Sequence, residues 1–325
     1  MNLRVLLIAV LSIILVPAVL VAYSWIAEKF VGVTIRGAQT REQVRSYFWI
    51  APAFLLLAVF LVYPVISTII TSLLGPQGHK FVAFGNYGYI FSNPDMLIVL
   101  RNNLLWLVVF TFLTTAIGLA MAVLADRVRY ENVVKAILFL PMAISYVAAG
   151  VIWKFMYQFQ PAGATQTGTL NALIVSIFPG FQPQAWLINS PGNTFALIAV
   201  GVWIWAGFCM VIISASLKGI PKDVLDSARI DGATEMQLFW RITVPLISST
   251  LTVVVTTMII NVLKIFDIVY VMTSGNYNTD VIANSMYKQM FIFQDYGRAA
   301  ATAVILFLAV IPVVVVNIRK FVTPS

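Results

Sequence analysis

Charge is what this sequence has least of. Asp, Glu, Lys and Arg make up 10% of its 325 residues while 61% are hydrophobic, against about a quarter charged in soluble domains. A soluble fold of this size could not hide so much apolar surface, so lipid must be the solvent over much of the chain. Histidine and cysteine are each present once, as His79 and Cys209. A histidine-rich metal site and an intrachain disulfide are therefore excluded, and Cys209, inside an apolar segment, reads as a small packing residue. No G-x-x-x-x-G-K-[ST] phosphate loop, H-E-x-x-H, C-x-x-C or G-x-S-x-G motif occurs, which removes the usual ATPase, metalloprotease, redox and hydrolase readings. The net charge of +8 sits at the ends of apolar segments rather than in one patch, so it reports membrane topology and not nucleic-acid binding.

What is present is long apolar runs. In lipid the backbone must satisfy its own hydrogen bonds, leaving helices or a closed barrel; runs this long, without alternation, select helices. A helix needs about 20 residues to cross the hydrocarbon. Seven candidate spans meet that length, at 4–26, 48–72, 100–125, 134–158, 193–217, 246–272 and 299–317. The expected fold is an all-α membrane protein of about seven transmembrane helices. It divides into an extra N-terminal helix with its linker (1–46) and a six-helix core (47–325). The first span resembles a signal sequence in starting behind Arg4, but it is too long for one and lacks an A-x-A cleavage site, so it reads as a retained helix. Pro52, Pro64, Pro141 and Pro312 lie in or near spans, where neighbouring helices can re-satisfy the backbone.

Seven crossings sort the loops into two sets. One holds Lys29, Arg36, Arg41, Arg45, Arg127, Arg129, Lys218, Lys222, Arg229, Arg241, Arg319 and Lys320, with Lys135 at its border. The other holds Lys80, Lys288 and Arg298, with Arg4 and Arg101 at its borders, and its longest loop, 159–192, has no charge at all. The positive-inside rule puts the first set in the cytoplasm, with the N-terminus outside and the C-terminus inside. Loop 159–192 reads as irregular, with a short helix near 169–178.

Loop 218–245 is too polar to span and too patterned for a linker. Pro221 can open a helix at its first position, and Asp223 complements the helix dipole. Val224, Leu225 and Ala228 form an apolar face. Asp231-Gly232 signals a turn. Thr234 with Gln237 three positions on is a capping box, so a second helix starts there with Met236, Phe239 and Trp240 on its apolar face. Two short helices joined at Gly232 are expected. Their apolar side chains have no evident intrachain core, which implies a partner's pocket.

The run Asp226-Ser227-Ala228-Arg229-Ile230-Asp231-Gly232-Ala233, followed by Phe239, Ile242 and Pro245, resembles the EAA loop of permease subunits in binding-protein-dependent ABC importers. Asp226 and Ser227 stand where that pattern has Glu and Ala. The stretch Phe266-Asp267 to Tyr270, Thr273-Ser274-Gly275 and Tyr296-Gly297-Arg298-Ala299 resembles the maltose and glycerol-phosphate branch, with Gly275-Asn276-Tyr277 in place of its Gly-Gly-Pro. The resemblance implies a type I importer core in a bacterial cytoplasmic membrane. It also implies no enzymatic activity, and no cofactor, in this chain. ATP and Mg would reside on two separate ATP-binding subunits, alongside a second permease subunit and an external sugar-binding protein. It makes Asp226, Ala228, Arg229, Asp231, Gly232, Ala233, Met236 and Phe239 the residues that dock to the ATPase.

Charges at membrane depth default to a functional reading. Lys264 and Asp267, three apart, are expected on one helix face, where with Asn261 they mark either a translocation path or a structural salt bridge. Lys154, near the outer end of its span, is expected to snorkel to the interface. Trp203, Trp205 and Tyr157 suit either a sugar contact or ordinary packing. The runner-up class, an ion-coupled secondary transporter using Lys264 and Asp267, predicts inverted repeats that the sequence does not display. Import of glycerol-3-phosphate or a polyol is the alternative cargo. An anionic cargo calls for buried cations, and only Lys264 lies deep, which favours a neutral oligosaccharide or α-glucoside.

Overall fold

The computed structural model describes residues 38–322 without interruption, preceded by residues 18, 21–26, 28 and 29. Of the expected first span, residues 4–17, 19 and 20 lie outside the described residues, whereas 21–26 are helical. The chain forms two compact units, Met1–Ser67 and Thr68–Ser325. In the first, Arg45 pairs with Glu28 at 2.7 Å and the Tyr23 hydroxyl donates to the Phe48 carbonyl. Helix α1 (Ala38–Leu57) passes through a π-helical turn at Ala58–Val62 into α2 (Tyr63–Ser72). Together they supply the first described span, Val44–Ser72, whose most apolar stretch is nowhere buried within the chain.

The second unit is helical apart from its loops and one isolated bridge between Leu74 and Phe81. After α3 (Gly85–Ser92), α4 (Pro94–Leu105) starts on Asn93, whose side chain accepts from the amides of Asp95 and Met96. It runs through a π turn at Trp106–Phe110 into α5 (Thr111–Ala125) as one 32-residue span. Two expected spans are broken rather than straight. The fourth consists of α6 (Glu131–Phe139), a 3-10 turn at Leu140–Ala143 and α7 (Tyr146–Met156), with a 98° bend between its halves. Pro141 ends α6, and Ser145 recaps the chain by accepting from the Ala148 amide. Helix α8 (Thr169–Ile177) is the short helix expected in the neutral loop.

Helix α9 (Gly192–Lys218) is the axis of the unit. Its 27 residues rise about 40 Å at 1.5 Å each. Lipid tails give helices no hydrophobic reason to associate, so small residues that admit close backbones carry the packing. A Cβ on Gly207 would stand 2.2 Å from the Leu138 carbonyl oxygen, and one on Gly118 would stand 2.5 Å from Cβ of Cys209. Leu197, Met210 and Ile213 fill the spaces between and are fully buried.

After α9 come α10 (Lys222–Ile230), α11 (Glu235–Leu238), a π turn at Phe239–Thr243 and α12 (Val244–Leu246). The expected sixth span, 246–272, is also interrupted. Helix α13 (Ser248–Leu263) ends on Lys264, and α14 (Asp267–Thr273) begins after Phe266, which adopts φ −138° and ψ −59°. Helix α15 (Ile282–Tyr287), a π turn at Lys288–Ile292 and α16 (Tyr296–Val322), which carries Pro312 internally, complete the described chain.

Candidate coupling loop and translocation path

The loop after α9 is assembled from its own sequence. Pro221 stands just before α10 rather than at its first turn; Asp223 in the first turn and Arg229 in the last complement the dipole. The helix ends in a Schellman motif: the Ala233 amide donates to the Ala228 carbonyl and the Gly232 amide to that of Arg229, both at 3.0 Å. Gly232 takes φ +85°, a left-handed conformation that suits glycine. The capping box then starts α11, with Thr234 N donating to Gln237 Oε1 at 2.9 Å and Gln237 N to Thr234 Oγ1 at 3.3 Å. Arg229 ties the two helices, at 2.9 Å from Asp226 and 3.0 Å from Glu235. Those carboxylates, Glu235 first, raise the guanidinium pKa further.

The apolar residues divide between two roles. Contrary to expectation, part of the face has an intrachain home: Ala228 and Leu238 are buried, and Leu225, Leu238 and Phe239 line a groove of about 720 Å³ with Leu119 and Val123 of α5. The rest projects outward, with Ile230 85% and Met236 67% exposed. Asp231 and Gly232 sit exposed between them, and Ala233 is half-buried.

Behind the loop lies a charge network that sequence reading missed. Lys135 Nζ is 2.5 Å from Asp126 Oδ1 and donates to Ser214 Oγ at 2.7 Å, and Ser214 in turn donates to Asp126. Glu131 accepts from Lys218. These groups knit the ends of α5, α6 and α9 together. Only the Glu131–Lys135 spacing of four hinted at it; Asp126 and Ser214 are 88 positions apart.

At the opposite end of α9, residues 274–281 form a loop with Ser274, Gly275, Tyr277 and Asn278 all at positive φ. Asparagines from distant helices hold it. Asn102 Nδ2 donates to the carbonyls of Asn278 (2.7 Å) and Asp280 (2.9 Å), Asn193 Nδ2 to that of Tyr277 (2.7 Å), and the Ile282 amide to Asn103 Oδ1 (2.6 Å). Beside it lies a cavity of about 440 Å³, lined by Lys154, Tyr157, Gln158, Thr273, Asn276 and Tyr277 among others. Lys154 is exposed in the last turn of α7.

The six residues expected on the path do not fall in one place. Tyr157 is buried, its hydroxyl donating to the Ala196 carbonyl, and joins Trp203 through Trp153 (5.2 and 5.6 Å). Trp205 donates from Nε1 to the Tyr146 hydroxyl and meets Phe208 edge-on. Asn261 bonds back to the Thr257 carbonyl within α13. Lys264 and Asp267 do not share a helix face, because the break at 264–266 separates them; among the described residues no ion pair joins them. The structural salt bridge is therefore not formed, and Lys264 is exposed.

Comparison with known proteins agrees with this geometry. The osmoprotective-compounds uptake permease of Synechocystis sp. is 52% identical over 84% of this chain and 97% of its own. The α-glucoside transport permease of Rhizobium meliloti is 43% identical over 90% of this chain and 87% of its own. Among solved structures, a bacterial ABC transporter involved in import of the acidic polysaccharide alginate superposes with a TM-score of 0.73, covering 88% of this chain and 100% of that one at 20% identity, which speaks to the fold alone. Residues 114–325, which include the loop, the charge network and the broken spans, match the model of the binding-protein-dependent transport system inner membrane component. The chain belongs to that family, and is a multi-pass inner-membrane transport subunit rather than an enzyme.

Proposed function

We propose that this chain is one membrane-spanning subunit of an ATP-driven importer whose cargo is a neutral oligosaccharide or α-glucoside, handed over by an external binding protein. The observation that carries the reading is the loop after α9. It is a self-capped helical knob with Ile230 and Met236 exposed around Gly232, at the end of a 27-residue axis. Such a knob fits a pocket on a separate ATP-binding subunit. The α-glucoside permease among the relatives supports the cargo class, as does the balance of deep charge, one cation (Lys264) and one anion (Asp267).

In this reading two ATP-binding subunits, carrying ATP and Mg, close and displace α10 and α11. The network Asp126–Lys135–Ser214 passes that displacement to α5, α6 and α9. A second permease subunit completes the path, and Asn261, Lys264, Asp267, Trp203, Trp205 and Tyr157 contribute to it. The knob faces the cytoplasm and the 274–281 loop faces the binding protein, with the N-terminus outside and the C-terminus inside.

The test is uptake in vesicles carrying the complete transporter, against labelled maltose, trehalose, other α-glucosides and glycerol-3-phosphate. ATP-dependent uptake of a neutral glycoside is the expected result. Uptake that follows an imposed proton or sodium gradient and ignores ATP would overturn the importer reading. ATP-dependent uptake of glycerol-3-phosphate alone would overturn the cargo.

A further inference from the structure

The break between α13 and α14 begins a row of aromatic rings. Phe266, inside the break, stacks on Tyr270 one turn into α14, with centroids 5.1 Å apart and 19° between the planes. Both meet Tyr287 at the end of α15, at 5.4 and 5.3 Å, and Tyr287 passes the contact on to Phe291 at 5.0 Å. Four rings thus run across two elements joined by the asparagine-tied loop. Core aromatics of this chain are hidden, Trp106 completely, but this row is open: Phe291 is 63% and Tyr270 40% exposed.

The surroundings say what that face looks onto. Helix α13 has 16 residues and rises about 24 Å, short of a hydrocarbon core about 30 Å thick. The break, with Lys264 and Asp267 on either side of it, therefore falls short of the far water. Charges at such depth face a water-filled cavity or protein, not lipid. Phe266 lies between those two charges in the chain. Aromatic faces are electron-rich and attract the polarised C–H groups of a pyranose, while the Tyr270 and Tyr287 hydroxyls can exchange hydrogen bonds with its rim. A mostly apolar surface with a few polar groups is also the usual make-up of a small-molecule site.

We infer that Phe266, Tyr270, Tyr287 and Phe291 form a stacking surface for the pyranose rings of a neutral glycoside on the translocation path. The inference rests on the sugar-import reading above and adds to it the contacting residues. The row lets a glycoside move from ring to ring without a single tight stop.

The experiment uses the complete transporter, with its ATPases, companion permease and binding protein, in proteoliposomes. Uptake of labelled trehalose and maltose is measured beside binding-protein-stimulated ATP hydrolysis for wild type, Tyr270→Leu, Phe291→Leu and Tyr270→Phe. Leucine keeps an apolar side chain and removes the ring face. The leucine variants are expected to slow uptake about tenfold, the worth of a good aromatic contact, with hydrolysis changed less than about twofold. Tyr270→Phe is expected to keep most of the uptake. Unchanged uptake in both leucine variants, while wild type transports, would overturn this inference alone and leave the row facing lipid. Uptake and hydrolysis falling together, or ATPase subunits failing to co-purify, would make the row a subunit contact and equally overturn it. A wild-type transporter that takes up no neutral glycoside would overturn the sugar reading, and the inference with it.

Discussion

The two ends of α9 carry loops that are both rigid but anchored differently. Between Pro221 and Leu238 the bonds described join residues at most six apart, so the knob is closed on itself in its hydrogen bonds and meets α5 only through the apolar groove. Residues 274–281 are instead held by Asn102 and Asn193, from 84 to 178 positions away. A module closed on itself can be displaced as a body without losing its shape. A loop bonded to two separate helices cannot move unless those helices do. The difference suits a machine driven at one end and read out at the other.

Substitutions can break or sharpen that contrast. The largest effect on stability is expected at Asn102→Ala, which strips the donors from two carbonyls and costs about 3 kcal/mol by the penalty for buried groups left unpaired. The thermal midpoint of the purified complex measures it, and a fall no larger than that of Asn193→Ala would contradict the anchoring argument. Gly232→Trp strains the left-handed backbone at φ +85° but meets no atom within 4 Å of its Cβ, so insertion is expected to stay intact. It should nonetheless lower uptake about 30-fold, the ~2 kcal/mol of an interface hot spot; normal uptake would mean the knob does not dock. Asn193→Ala removes one bond to the loop and is expected to cost about 1 kcal/mol, read as the thermal midpoint of the same complex. Smallest is Arg229→Met, whose ion pairs with Asp226 and Glu235 are exposed and contribute little to stability. Because its carboxylate partners raise the guanidinium pKa, that contribution is present at neutral pH and, as pH rises, is lost only far above neutrality. An uptake profile for this variant parallel to wild type between pH 6 and 9 is the check.

The same contrast explains what could be read from the residues. The knob was legible because its signals are local: Thr234 with Gln237, Asp231-Gly232, Pro221 with Asp223. The break at 264–266 was not, because Ile265 and Phe266 are apolar and no proline or glycine marks them. Treating that run as one helix also produced the false pairing of Lys264 with Asp267. The bend at 144–145 had a visible cause in Pro141, but a proline in a membrane helix fits a kink as well as a break. The asparagine anchors and the Asp126–Lys135–Ser214 contacts left no trace in spacing, because their partners are distant in sequence and meet only once the helices pack.

Cys209, the single cysteine, is fully buried where α5 and α9 touch most closely. Its thiol is sheltered by the packing that makes that contact, so the natural chain is already blank to maleimides and other thiol reagents. Cysteines introduced one at a time at Ile230, Tyr277 or Phe291 each report their own accessibility, with no native thiol to remove first. A close-packed seam in the bundle thus makes its moving ends open to chemical mapping through the transport cycle.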